Sequence, residues 1–192
     1  MFSMNMMELS KMTDSPLMNE AKNMDKITDT ADLDKPIVKE LKEVKGCPIE
    51  GNGGTWTGER GDSDWKPNDN EIPTRYNPDG LSWKEIKEKY GFETIPFNDG
   101  EPDFGEVSKG EVEIDDFSSS RSKNFSQADE KLAEQRGCTP EEVKQWREEN
   151  KYTWHECSDC KTMQKVPSEV HGNVSHTGGI SETKSKEGTS NI

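Results

Sequence analysis

Apolar positions change their spacing along this chain, and the change marks its organisation. From residue 121 to 150 they fall at helical intervals; from residue 151 they alternate as on strands. Two helices are predicted in the first stretch. Ser126 is the expected cap of one, which stops at Gly137, and Leu132, Val143 and Trp146 are expected to turn inward. The other starts on Thr139-Pro140-Glu141-Glu142. It has a capping hydroxyl, a proline where no amide hydrogen is required, and a glutamate that can reach back to the cap. Tyr152 to Cys157 then reads as a strand, Ser158-Asp159 as a turn and Thr162 to Val166 as the return strand. Pro167 ends that strand, and Ser168 caps a short helix carrying His171.

Earlier signals are sparser. Ile37, Leu41 and Val44 predict a helix over 35–45. A glycine-rich break follows at residues 51–54. Residues 55–105 mix Trp56, Trp65, Trp83, Tyr76, Tyr90, Phe92, Phe97 and Phe104 with turn formers. This predicts a loop-rich segment pinned by its aromatics, which serve as core more readily than as a base-stacking surface. One helix stands out there, Trp83 to Tyr90, with Ser82 and Glu85 as a capping box and Gly91 at its stop. Val112 to Ile114 alternates as a short strand, and Ser118 to Ser122 reads as a loop. The expected division is a flexible or helical lead-in over 1–50, the aromatic segment over 51–120, a C-terminal domain over 121–180 and a disordered polar tail over 181–192.

Composition narrows the class. Only 28% of the 192 residues are apolar, 33% are charged, and the net charge is -14. A small core is expected. Residues 151–192 balance five lysines against five acids, so the acidic excess lies in residues 1–150. Such a body argues against passive, charge-driven nucleic-acid binding, yet not against a local site that grips phosphate through a metal ion. No apolar run reaches membrane-spanning length, and the methionine-rich N-terminus has no signal-peptide core. Four dispersed cysteines do not form a disulfide framework.

The candidate chemistry sits in "TWHECSDCKTMQKVPSEVHGNVSHTGG". It holds all three histidines, His155, His171 and His176, and two cysteines, Cys157 and Cys160. One reading is a closed C2H2-like zinc site from Cys157, Cys160, His171 and His176, an interaction module without catalysis. Against it, the interval between the cysteine and histidine pairs holds Pro167 and is short. Gly172-Asn173 also interrupts the helix a finger would need, and Trp154 and His155 would have no role. The other reading is a β-hairpin followed by a helix, with His155 at the end of the first strand facing His171 and His176. Three imidazoles there could hold a divalent ion that polarises a phosphodiester.

The words "TWHE", "TMQKVP" and "HTGG" resemble the HNH/endonuclease VII superfamily, in its toxin branch named for a Trp-His-His signature. The matching positions are Trp154, His155, Met163, Gln164, Val166, Pro167, His171, His176, Thr177, Gly178 and Gly179. The likeness covers about residues 152–179. Glu156 stands where that signature has its second histidine, and Gln164 is nearest the place of the asparagine in the HNH name.

The resemblance implies an α+β protein with a ββα-metal nuclease core behind helical and loop-rich segments. It implies a metal-dependent endonuclease, acting on DNA in preference to RNA, as the C-terminal domain of a bacterial polymorphic toxin. Such a domain would be secreted within a larger toxin or act in the target-cell cytoplasm, and a cognate immunity protein would neutralise it. The expected ligands are His155, His171 and His176, for Mg, Mn, Ni or Zn; the expected catalytic residues are His155 and Glu156. Two assignments stay open: His155 as ligand with Glu156 as base, or His155 as base with Glu156 or Asp159 completing the metal shell; an imidazole is the better base at neutral pH, which favours His155 over Glu156 as the essential catalytic residue.

Overall fold

The computed structural model describes residues 46–189, all within one compact unit, Glu43–Ile192. The helix expected over 35–45 lies outside the described residues. The architecture is α+β, with two small antiparallel sheets and five helices.

The first sheet is ordered β1 (Gly54–Trp56), β2 (Asp64–Pro67), β3 (Ile95–Asn98), β4 (Glu101–Pro102). Helix α1 (Trp83–Tyr90) covers it, started by the expected capping box and stopped at Gly91, whose φ of 76° suits a glycine. The aromatic segment thus has its own sheet, which its turn-rich composition hides. Trp65, Trp83, Ile86, Phe92, Ile95, Phe97 and Phe104 form one buried cluster, extended by Val166, Val170 and Val174 from the C-terminal part of the chain. These aromatics are core.

The second sheet is ordered β5 (Glu111–Glu113), β7 (Thr162–Pro167), β6 (Tyr152–Glu156). The β6–β7 hairpin pairs His155 with Gln164 and Trp154 with Lys165. Helices α2 (Arg121–Arg136) and α3 (Pro140–Glu149) cover one face. There Val112, Ile114, Ala128, Leu132, Ala133, Val143, Trp154 and Met163 form a second cluster. A short helix, α4 (Ser168–His171), follows β7 directly, completing the predicted strand–strand–helix order.

Three local expectations change. Helix α2 begins at Arg121, not after Ser126. Its polar first turn is anchored by Asn124, which bonds the backbone of Ser118 at both ends of its amide. Trp146 is 40% exposed; its ring rests beside Tyr152, 5.1 Å between centroids, with the Lys165 ammonium 4.2 Å from its centroid. Leu132 and Val143 are buried as expected. Finally, residues 181–189 belong to helix α5 (Gly179–Thr189), where polarity predicts disorder. Its start is seated on the hairpin: a side chain at Gly179 would meet the Cys157 carbonyl at 2.5 Å and the Phe117 ring at 2.6 Å. No helix among the described residues is long and apolar enough to cross a membrane.

Candidate metal centre

His155 is the fourth residue of β6. Strand alternation turns it away from Trp154, out of the α2–α3 core and toward Phe104. His171 ends α4, and His176 follows in the loop before α5. The hairpin and the segment behind it bring the rings together. Nδ1 of His155 lies 3.3 Å from Nε2 of His171, and the ring centroids of His155–His176 and His171–His176 are 4.8 and 4.7 Å apart. One nitrogen from each ring lies within 4.8 Å of the others, close enough for a single cation.

Phe104 packs against all three rings, at 5.0, 5.7 and 5.5 Å. Gln164 holds that wall in place: its side-chain oxygen accepts from the Phe104 amide, and its nitrogen donates to Glu111 and Asp103. Gln164 is therefore a positioning residue for the cluster. Gly178 allows the closing loop to approach, since a side chain there would meet the Glu156 carbonyl at 2.6 Å.

Electrostatics keep the histidines in the ligand form. Burial, then the charges of His176, His171 and Arg121, holds His155 well below the usual 6.5. Burial, with His176 and Arg121, brings His171 down to about 3. Burial also lowers His176, partly offset by the hydrogen bond between its Nδ1 and the Val174 carbonyl. All three imidazoles are neutral near pH 7, each with a lone pair to give. The donor set fits a divalent metal of the zinc, nickel or manganese class. Nδ1 of His155 faces His171, while its Nε2 is buried with no hydrogen-bond partner in the protein.

Glu156 is beside the cluster, not on the far face of the strand. As the last residue of β6 it escapes strict alternation, and its carboxylate lines the same cavity of about 140 Å³ as the histidines, Arg121 and Gly178. Arg121 Nε donates to one Glu156 oxygen at 3.0 Å and Asn124 Nδ2 to the other at 2.9 Å. The carboxylate is buried while Arg121 is 62% exposed, so the guanidinium bridges the site to solvent.

Asp159, the other carboxylate considered for the metal shell, is held in the hairpin turn, where it accepts from the Lys161 and Thr162 amides and the Thr162 hydroxyl. Cys157 and Cys160 do not join His171 and His176 in one ligand group among the described residues. Cys160 Sγ instead lies near Ser158, Gly179 and Thr183.

Arg121, Asn124 and Phe104 carry no signal in the sequence. Arg121 and Asn124 stand in a polar stretch at a helix start, and Phe104 is one aromatic among many. Only their meeting in space identifies them.

No curated protein matches the chain. Residues 94–178, the stretch that contributes Phe104, Arg121, Glu156 and all three histidines, match the model of a family described as the DNase/tRNase domain of colicin-like bacteriocin, and this similarity supports a nuclease toxin domain there.

Proposed function

We propose that the chain is a divalent-metal-dependent endonuclease of the HNH type, cutting DNA as the toxic domain of a bacterial toxin. The observation that carries this reading is the convergence of three neutral imidazoles on one cavity that also holds a carboxylate and a guanidinium. The similarity to bacteriocin nuclease domains supports it from an independent direction.

In this reading His155, His171 and His176 hold the ion, and His155 takes the ligand role of its two possible assignments. Its ring is 1% exposed and faces the other two, which suits a ligand better than a base for free water. A bound divalent ion would supply Lewis-acid polarisation of the phosphate and charge stabilisation at the leaving oxygen. Glu156 then accepts the proton of the attacking water as the new phosphorus–oxygen bond forms and the old one breaks. Arg121 keeps donors to spare beyond its bond to Glu156, and its exposed guanidinium can take a phosphate oxygen. Asn124 holds the carboxylate in line. This cation at the cavity mouth gives an acidic chain a local grip on phosphate. A specific immunity protein is the proposed partner.

The test is cleavage of supercoiled plasmid by the full chain with magnesium, manganese, nickel or zinc, with transfer RNA as the competing substrate. Metal-dependent nicking of plasmid, abolished in His155→Ala, is expected. Equal cleavage by wild type and His155→Ala would sink the assignment; cleavage of transfer RNA alone would move it to a ribonuclease.

A further inference from the structure

A second set of donors also meets at His155. A carboxylate oxygen of Glu101, a nitrogen of His155 and Sγ of Cys157 fall within 4.8 Å of one another. They come from different elements: Glu101 from β4 of the first sheet, His155 from β6, and Cys157 from the residue that follows β6 in the second. Nδ1 of His155 is engaged with His171, so its buried, unpartnered Nε2 is the nitrogen left for this set. Both Glu101 oxygens accept from Ser158, one from its amide and one from its hydroxyl. That fixes the carboxylate and leaves lone pairs free.

The carboxylates Glu101, Asp159, Glu111 and Asp103 lie near the Cys157 thiol. Among these, Glu111 and Asp103 accept from the neutral amide of Gln164, Asp103 also from the Gly105 amide, and Asp159 bonds the hairpin turn. An orphan buried imidazole nitrogen, a fixed carboxylate and a thiol thus lie within reach of one another. A cation binds all three, and its charge allows the thiol to lose its proton.

We propose a second divalent-cation site formed by Glu101, His155 and Cys157, suited by its sulfur ligand to zinc-class ions. Three protein ligands leave a fourth position open. The ion would tie β4 to the end of β6, joining the two sheets beside the cavity. A neutral imidazole has one free lone pair, so this site shares His155 with the three-histidine cluster and the two compete for it. The site does not depend on nuclease activity.

Cobalt(II) added to the metal-free full chain tests it, because a sulfur–cobalt bond gives a near-ultraviolet charge-transfer band that nitrogen and oxygen ligands lack. The band is expected in the wild type, absent in Cys157→Ser, and retained in Cys160→Ser and in the His171→Ala/His176→Ala double variant. Retention in the double variant separates this site from the three-histidine centre, whose failure would leave the band intact. Glu101→Gln covers the case in which Cys157→Ser does not fold: it should keep the band with cobalt affinity at least about tenfold weaker. No band in the wild type, a band that survives Cys157→Ser, one lost only in Cys160→Ser, or unchanged affinity in Glu101→Gln would each overturn the proposal.

Discussion

Trp154 and His155 are adjacent on one strand and both are buried, yet the two faces they occupy differ in kind. On the Trp154 side the buried polar groups Asp129 and Arg147 are paired. The indole donates to Asp129 at 2.8 Å, and Asp129 holds Arg147 through two further bonds. Leu132, Val143 and Met163 fill the rest. On the His155 side three imidazoles crowd together under Phe104, a buried ring nitrogen has no partner, and a buried carboxylate meets a half-open guanidinium. A satisfied core gains stability from its polar groups. A core that leaves a buried imidazole nitrogen unsatisfied beside two further neutral rings is what the proposed ion would complete. The comparison separates a face built to hold the fold from a face built to hold something else.

That separation can be broken or sharpened by experiment. The largest effect is expected on the site face. Glu156→Gln should lower the rate of plasmid cleavage by about 10²–10⁴-fold, the range for loss of a positioned proton acceptor, while metal affinity measured by calorimetry stays close to wild type. A variant that cleaves normally would remove Glu156 from the chemistry.

The fold face comes next. Trp154→Ala should cost about 3–5 kcal/mol in denaturant unfolding, since it opens a cavity and strips Asp129 of a donor. A cost near that of an exposed residue would mean the two faces are not divided as described.

The third prediction concerns pH in chelator-treated protein. His171 titrates near 6.5 when unfolded and at about 3 when folded. The unfolded chain therefore takes up a proton that the folded chain refuses, and stability falls as pH drops below about 6.5 toward 3. The slope approaches about 1.4 kcal/mol per pH unit for this one group. His155 and His176 shift in the same direction and add to it. Urea midpoints from pH 7.5 to 4.5 measure this, and His171→Gln should flatten the curve.

The smallest effect is expected at a cap remote from both faces. Thr139 Oγ1 accepts from the Glu142 amide at 3.2 Å, and the Glu142 carboxylate takes the Thr139 amide in return. Thr139→Ala should cost about 1 kcal/mol of stability and leave cleavage as in the wild type.

What could be read from the chain alone was what local chemistry dictates. The capping boxes at Ser82 and Thr139 are matched by observed helices because their signals lie within four residues. The hairpin and its following helix were legible for the same reason, since alternation, a turn and a proline act over neighbours. The three histidines could be named, because three such residues within one short stretch are few enough to single out.

Long-range partners could not be named. The first sheet of short strands is held by pairings such as Trp65 with Ile95, whose alternation is too brief to stand out among turns. Helix α5 is polar apart from Ile180 and its glycines, and its docking on the Cys157 carbonyl and Phe117 has no local signature.

The sequence by itself determined where helices start and stop, where the hairpin turns, and which side chains could give lone pairs to a cation. Only the tertiary structure decided that Glu156, at a strand end, lies in the same cavity as His155, that Arg121 reaches it across 35 residues, and that Phe104 and Gln164 form the wall behind the rings. Local signals depend on bonds within a few residues, whereas a site depends on which distant surfaces exclude water together, and that is settled only when the cores pack.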